Sequence, residues 1–154
     1  MVAPTRNARP TCEKHEGRPP LGWLAPYISQ THSSPDLLRE AGFRYMMDWP
    51  LDDQPVWFRT KHGAILSIPY AHDLNDSFEM LEESARRPLV MSVVLHSFIL
   101  GQPHRLRRFR QVIEHITKQR GRVWLTRPGE ICRYVETLPP GTLPGSYAIL
   151  TASA

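Results

Sequence analysis

Residues 89–95 read Leu-Val-Met-Ser-Val-Val-Leu, a continuous apolar run that is followed directly by His96. A short run rich in valine is typical of a strand that is covered on both faces of a parallel sheet. In residues 104–120 the apolar positions then recur at helical spacing, and Gly121 stands where such a helix should end. A second short apolar segment follows at residues 123–125. Strand, amphipathic helix and strand form a βαβ unit, so the sequence predicts an α/β fold with a parallel sheet.

The chain before this unit predicts another strand and a hairpin. Residues 43–47 are apolar and aromatic, and they end at Asp48. Residues 56–60 and 64–68 flank Gly63, which supplies the positive φ that a tight turn requires. Short helices are predicted at residues 37–41, 73–85 and 130–138, and irregular structure at 1–33 and 138–154.

Two polar residues stand directly after predicted strands. Asp48 follows the strand at 43–47, and His96 follows the strand at 89–95. Functional side chains of α/β folds gather at the carboxyl ends of the strands. Asp48 and His96 are therefore the candidate functional residues that the pattern itself selects.

The bulk composition narrows the class of protein. The 154 residues fit one domain, and 15 prolines predict many irregular connections. No stretch has the length and apolarity of a signal-peptide core or a membrane span, so we expect a cytoplasmic protein without a membrane partner. Cys12 and Cys132 are too few for a disulfide framework and are expected to be free or buried thiols. A net charge of +4 is small for this length, and nucleic acid is an unlikely partner.

Four segments, in this order, resemble the later motifs of the polysaccharide deacetylase (NodB-homology) family, in its allantoinase-like and peptidoglycan-deacetylase-like branch. No single segment is specific, but the ordered set is. The segments are residues 17–23 (Gly-Arg-Pro-Pro-Leu-Gly-Trp), 41–55 with its Asp-Trp and Asp-Asp-Gln-Pro, 66–76 with its Asn-Asp, and 95–105 with its Leu-His and Gly-Gln-Pro-His-Arg.

This resemblance implies a partial, truncated form of the distorted β/α barrel of the NodB-homology type. It divides the chain into an irregular arm (1–16), the C-terminal half of a deacetylase-like domain (17–137) and an irregular tail (138–154). The implied activity is hydrolysis of a non-peptide C–N bond, in an N-acetyl amino sugar or a cyclic ureide. The implied small-molecule substrate is accordingly a carbohydrate or a ureide.

The resemblance also implies roles for individual residues. Arg18 would orient a catalytic-base aspartate, and Asp48 would hold an imidazole, which would be that of His96. Cleaving an amide requires protonation of a poor nitrogen leaving group, and a histidine with its ordinary pKa of about 6.5 suits that task. The walls of the acyl pocket would be Trp23, Trp49 and Leu95.

The metal-binding half of the family pattern has no match in this sequence. The family holds a divalent metal such as zinc with an aspartate and two histidines, but none of the seven histidines here lies four residues from another. We therefore expect no metal or other cofactor to be held by this chain, and little or no hydrolysis by the chain alone.

Two alternatives from other functional classes remain open. One is a non-catalytic assembly partner, in which a half-barrel is completed by the missing N-terminal half or by a second copy of the chain. The other, less favoured, is a basic nucleic-acid-binding module that uses the arginine-rich segment 104–110.

Overall fold

The computed structural model describes residues 3–49, 51–70, 89–93, 95–96 and 100–146, with side chains from residue 7 onward. The described residues form helices and one sheet of short strands. The helices are α1 (Ala3–Glu16), α2 (Ser34–Glu40), α3 (Pro103–Lys118) and α4 (Pro128–Val135), with a 3₁₀ turn at Pro26–Ile28; the strands are β1 (Gly22–Trp23), β2 (Tyr45–Met46), β3 (Val56–Thr60) and β4 (Gly63–Ser67).

The described part of the sheet has the strand order β1-β2-β4-β3. β1 pairs with β2 and β2 with β4, both in parallel, and Tyr45 is the shared register residue, opposite Gly22 and Leu66. β3 and β4 form the antiparallel hairpin that the sequence predicted, and Gly63 adopts a φ of 103° at its turn. The architecture is therefore mixed α/β with one open sheet.

The two faces of the sheet bury separate apolar clusters, because successive residues of a strand point to opposite faces. Ile65 and Met46 pack with Leu38 of α2 and with Phe43 on one face. Leu66 and Ile68, whose side chains point to the other face, pack there with residues of α4 and of the chain after it. These residues are Cys132, Val135 and Leu143. The sheet is thus held between α2 and α4.

The predicted βαβ unit is not formed in the described residues. No strand is assigned at 89–93, 95–96 or 123–125, so these two strand predictions were wrong, although α3 lies where the helix was predicted. Val90 is instead partly buried against the cluster of Leu66, Ile68 and Cys132, on the second of the two faces described above. Its N–H donates to the Asp53 carbonyl at 2.7 Å. Trp124 and Leu125 are 58% and 52% exposed, so the segment 123–125 lacks the burial that a strand covered on both faces would have. The predicted helix at 73–85 lies outside the described residues.

Both termini differ in part from expectation. Ala3–Glu16 is an α-helix rather than an irregular arm, and it contains Pro10. The tail is irregular as far as Ser146, the last described residue, but it is packed against the sheet: Leu143 is buried, and Trp57 N–H donates to the Pro144 carbonyl at 3.0 Å. The remaining helices, α2 and α4, lie close to their predicted positions.

The chain divides into two compact units. The first comprises Met1–Ser92 with Pro128–Ala154, and the second comprises Val93–Arg127. The second unit contains eight arginine and lysine residues and a single acidic residue, Glu114, and all eight basic side chains are exposed. Within the described residues, none of the helices combines the length and the apolarity needed to cross a lipid bilayer.

Candidate functional site

The carboxyl ends of three parallel strands meet at one edge of the sheet. β1, β2 and β4 run in the same direction, and Met47 N–H donates to the Trp23 carbonyl at 3.0 Å where β1 and β2 end. Ala25 and Asp48 each stand two residues beyond the last residue of their strand. The register of the parallel pair therefore places Ala25 and Asp48 side by side at this edge.

Asp48 is fixed at this edge by a backbone donor. The Ala25 N–H donates to Asp48 Oδ1 at 2.6 Å, and the residue is only 4% exposed. Asp48 Oδ2 is also buried and has no hydrogen-bond partner within the described part of the chain. Burial raises the pKa of the Asp48 carboxyl above its ordinary value, and the hydrogen bond from Ala25 opposes this only in part. The hydrogen bond at Oδ1 thus orients the carboxyl group, and Oδ2 can accept a hydrogen bond from a group such as an imidazole N–H.

Trp49 continues the same edge. Its carbonyl accepts a hydrogen bond from Ser67 Oγ at 2.9 Å, which ties it to the end of β4. Its ring packs against Phe58 with centroids 5.9 Å apart and against His32 at 6.3 Å. The indole Nε1 is buried and has no hydrogen-bond partner among the residues described. The Trp49 ring is therefore held by contacts with Phe58 and His32, while its indole N–H has no partner among the described residues.

Gln30 belongs to the same neighbourhood, because it lies on the segment that runs from Ala25, bonded to Asp48, to His32, packed on Trp49. Both its Nε2 and its Oε1 are buried without a hydrogen-bond partner. Among the described residues, four of the five buried side-chain nitrogen and oxygen atoms without a partner belong to Gln30, Asp48 and Trp49.

Such a concentration of unpaired polar atoms is unusual. Native proteins pair the large majority of their buried polar groups, and each one left unpaired costs about 1–3 kcal/mol. The segment 25–32 is joined to the edge at 48–49 by the Ala25–Asp48 hydrogen bond and the His32–Trp49 ring contact. Together these two segments carry two acceptors and two donors that are buried without a partner among the described residues. Sequence reasoning missed Gln30, since a single glutamine in a loop carries no periodic or motif signal.

The other predicted site residues lie outside the segments 25–32 and 48–49. Trp23 is half-buried, and its ring meets Phe43 edge-on at 5.5 Å, so it packs on the core beside the site. Arg18 is exposed, between α1 and β1. His96 and Leu95 are exposed residues of the second unit, and Leu95 is 54% exposed. The pairing of His96 with Asp48 and the roles of Arg18, Trp23, Trp49 and Leu95 stay predictions.

The described side chains do not fit a resident metal. Among them there is no group of three or more histidine, cysteine, aspartate or glutamate residues that could hold a metal ion. Asp52, the nearest further carboxylate in sequence, accepts hydrogen bonds from Asp53 N–H at 2.7 Å and from Gln54 Nε2 at 3.1 Å.

Comparison with solved structures shows which proteins are similar to this chain in fold. The chain is similar to a structure of Puue allantoinase, with 30% identity and a TM-score of 0.73 over 86% of this chain and 51% of that one. It is also similar to a protein assigned as a polysaccharide deacetylase from Pseudomonas aeruginosa PAO1, with 27% identity and a TM-score of 0.69 over 82% of this chain and 49% of that one.

A third structure, of a protein assigned as a polysaccharide deacetylase from Mycobacterium smegmatis, has 20% identity and a TM-score of 0.65 over 92% of this chain and 59% of that one, and it shows the fold alone. No family model matches the sequence, and no curated protein matches it significantly.

These likenesses extend over most of this chain and agree with the ordered motifs. They support the predicted resemblance to the polysaccharide deacetylase (NodB-homology) family over most of this chain. It spans about half the length of the structures that it matches, which is consistent with a partial barrel of the NodB type.

Proposed function

We propose that this chain is the protonating half of a hydrolase that cleaves a non-peptide C–N bond, in an N-acetyl amino sugar or a cyclic ureide. The observation that supports this most directly is the state of Asp48: it is buried, it is fixed through Oδ1 by Ala25, and its Oδ2 has no partner among the residues that the structure describes. A carboxylate held in this way can select one tautomer of a neighbouring histidine and stabilise its protonated form.

In this proposal His96 is the general acid. Its imidazole donates a proton to the departing nitrogen, and the other ring nitrogen donates its N–H to Asp48 Oδ2. Proton donation by a positioned side chain contributes about 10²–10⁴-fold to the rate, which is the size of effect expected from this pair. Trp23, Trp49 and Leu95 shape the acyl pocket, and Arg18 orients a base aspartate.

The base and the water-activating group come from the metal-binding half of the family pattern, which the sequence of this chain does not match. The proposal therefore includes little or no hydrolysis by the chain alone. Purified chain would be incubated with zinc, cobalt or manganese, and the release of acetate from N-acetylglucosamine oligomers and the opening of allantoin would be measured. Robust metal-dependent turnover would refute this part of the proposal.

Complementation tests the acid role itself. The metal-binding half of a related deacetylase would be supplied as a second polypeptide, and metal-dependent turnover is expected to appear. His96→Asn and Asp48→Asn should each lower this turnover, His96→Asn by about 10²–10⁴-fold. His104→Asn, an exposed histidine of the same unit, is the matched control and should leave turnover unchanged. The hydrolase proposal fails if no complemented pair turns over, and the acid role fails if His96→Asn behaves like the control.

A second candidate function is that of a non-catalytic assembly partner. β1 is an edge strand of the sheet in the described residues, and large apolar side chains at 24, 51 and 124 are 43–58% exposed. Open edges and exposed apolar groups favour pairing with another chain. Light scattering distinguishes the two candidates, because a monomer at all concentrations tested would argue against assembly through a second copy.

A further inference from the structure

The loop after β1 holds two consecutive residues in an unfavourable backbone conformation. Tyr27 has a φ of 55° and Ile28 a φ of 54°, both in the left-handed region that glycine normally occupies. This conformation is costly for a residue with a Cβ, and most of all for a β-branched residue such as Ile28. It persists only where surrounding contacts impose it.

The contacts that impose it lie at both ends of the loop. Ala25, which precedes the turn, is bonded to Asp48, and the Ile28 N–H closes the turn on the Ala25 carbonyl at 3.0 Å. Beyond the turn, His32 packs on Trp49. The same segment includes Gln30, whose two buried side-chain polar atoms have no partner in the described part of the chain. The loop thus combines two unfavourable features, strained backbone and unpaired polar groups, within a few residues of Asp48.

The result of this conformation is the complete exposure of one aromatic ring. Tyr27 is 99% exposed, so its ring gains no stabilisation from burial in the fold. Two residues span at most about 7 Å, which places the Tyr27 backbone within that distance of Ala25 and hence close to Asp48. Since the ring contributes nothing to the core, the strain that presents it to solvent requires another explanation.

We propose that Tyr27 is an aromatic platform at the rim of the Asp48 site, on which a sugar ring of an oligosaccharide substrate stacks. This rests on the proposed hydrolase function and narrows its substrate to a glycan. A small cyclic ureide would be enclosed, because pockets bury 70–90% of a small ligand, and a fully exposed ring would contact it little. A glycan extends beyond the reacting residue, and a rigid exposed tyrosine gives its next ring a large contact area at low entropic cost.

The test uses the fact that removing the Tyr27 side chain should raise the stability of the fold, because the strain is relieved, but should weaken glycan binding, because the ring contact is lost. Tyr27→Gly removes both the ring and the backbone strain at φ 55°. Tyr27→Phe keeps the aromatic ring. Ile28→Gly relieves the backbone strain at the adjacent residue and keeps the tyrosine. For each full chain, the melting temperature would be measured, together with binding of the tetramer of N-acetylglucosamine and of allantoin by NMR titration.

We expect the wild-type chain to bind the tetramer, with perturbation of the Tyr27 ring resonances. Tyr27→Gly should weaken this binding about tenfold while its melting temperature rises. Tyr27→Phe should bind within about threefold of wild type. Ile28→Gly should also melt higher and bind as the wild type does, which separates loss of strain from loss of the ring.

Three results would overturn the platform: binding of the tetramer that is unchanged in Tyr27→Gly, a lower melting temperature for that variant, or binding of allantoin but not of the tetramer by the wild type. The last result leaves the hydrolase proposal standing with a ureide as its substrate. Conversely, tetramer binding that depends on Tyr27, together with no turnover in any complemented pair, supports the platform and contradicts the hydrolase.

Discussion

The N–H of Ala25 and the Oδ1 of Asp48 are 2.6 Å apart, and this hydrogen bond joins the segments that follow two neighbouring parallel strands. It is a contact across 23 residues of sequence, and it takes one oxygen of a carboxyl that is otherwise surrounded by protein. The second oxygen is left without a partner among the described residues, and this asymmetry makes Asp48 the centre of the candidate site.

Asp48→Asn should stabilise the isolated chain at neutral pH. Burial raises the pKa of the Asp48 carboxyl in the folded state, so the folded chain binds this proton more tightly than the unfolded chain. Ionisation of Asp48 therefore lowers the free energy of unfolding as the pH rises from 3.8, the ordinary pKa of the carboxyl, through its raised pKa in the folded chain. An asparagine keeps the acceptor for Ala25 and removes the charge, and we expect a gain of about 1–3 kcal/mol at pH 7.

Urea unfolding of both forms between pH 3 and pH 8 would measure this. The two curves should converge at the acidic end, where the aspartate is protonated in both states, and diverge above it. A variant that is less stable than wild type at pH 7 would show that the Asp48 charge is compensated in the fold.

Gly22→Ala should destabilise the sheet. A Cβ at Gly22 would overlap the ring of Tyr45, its register partner on β2. Because Tyr45 is itself packed on the core, the ring cannot move without disturbing that packing, and we expect a loss of about 1–3 kcal/mol in the free energy of unfolding. Gly121→Ala is the matched control, since a Cβ there meets nothing within 4 Å and should change stability by less than about 0.5 kcal/mol.

Arg44 and Glu136 should show a modest favourable coupling. Arg44 Nε donates to Glu136 Oε1 at 2.8 Å, and a second guanidinium nitrogen pairs with Oε2, so the contact is bidentate. It joins the start of β2 to the residue after α4, but the two side chains are 37% and 28% exposed. A double-mutant cycle with Arg44→Ala and Glu136→Ala is therefore expected to give about 0.5–1 kcal/mol, falling in high salt. A coupling of zero would mean that solvent replaces the pair at no cost.

The two thiols should differ in reactivity in the folded chain. Cys132 is 0% exposed, and burial raises the pKa of its thiol, which disfavours the reactive thiolate. Cys12 is free and only half-buried on α1. We expect a thiol reagent to label one cysteine quickly and Cys132 only on unfolding, as read by mass spectrometry. Cys12→Ser should abolish the fast phase; a fast phase that survives in it would place Cys132 at the surface.

Local signals predicted part of the fold well. The hairpin follows from Gly63 at positive φ between two apolar segments, and α3 follows from the helical spacing of its apolar residues. α1 was missed because Pro10 lacks the N–H that an interior helical residue donates, which ordinarily argues against a helix. There the Thr11 hydroxyl donates to the Asn7 carbonyl at 2.7 Å, adding a local bond.

The apolar run at 89–95 shows the main limit of a pattern argument. Apolar residues can be partly buried by packing alone, as Val90 is, without pairing as a strand. The site was predicted only in part, because local patterns do not show which strands pair. Asp48 was selected by its position after a strand. Its contact with Ala25 depends on the register of Gly22 with Tyr45. Nor could any local pattern indicate the left-handed backbone at Tyr27.

The unequal distribution of charge has a consequence for self-association. Eight exposed basic side chains and one acidic residue share the 35 positions of Val93–Arg127, so the rest of the chain carries a net negative charge although the whole is +4. Two copies that approached through their second units would repel each other, and salt would shield that repulsion beyond about 8 Å at physiological ionic strength. Association through these units should therefore be disfavoured at low ionic strength and should become more favourable when salt is added.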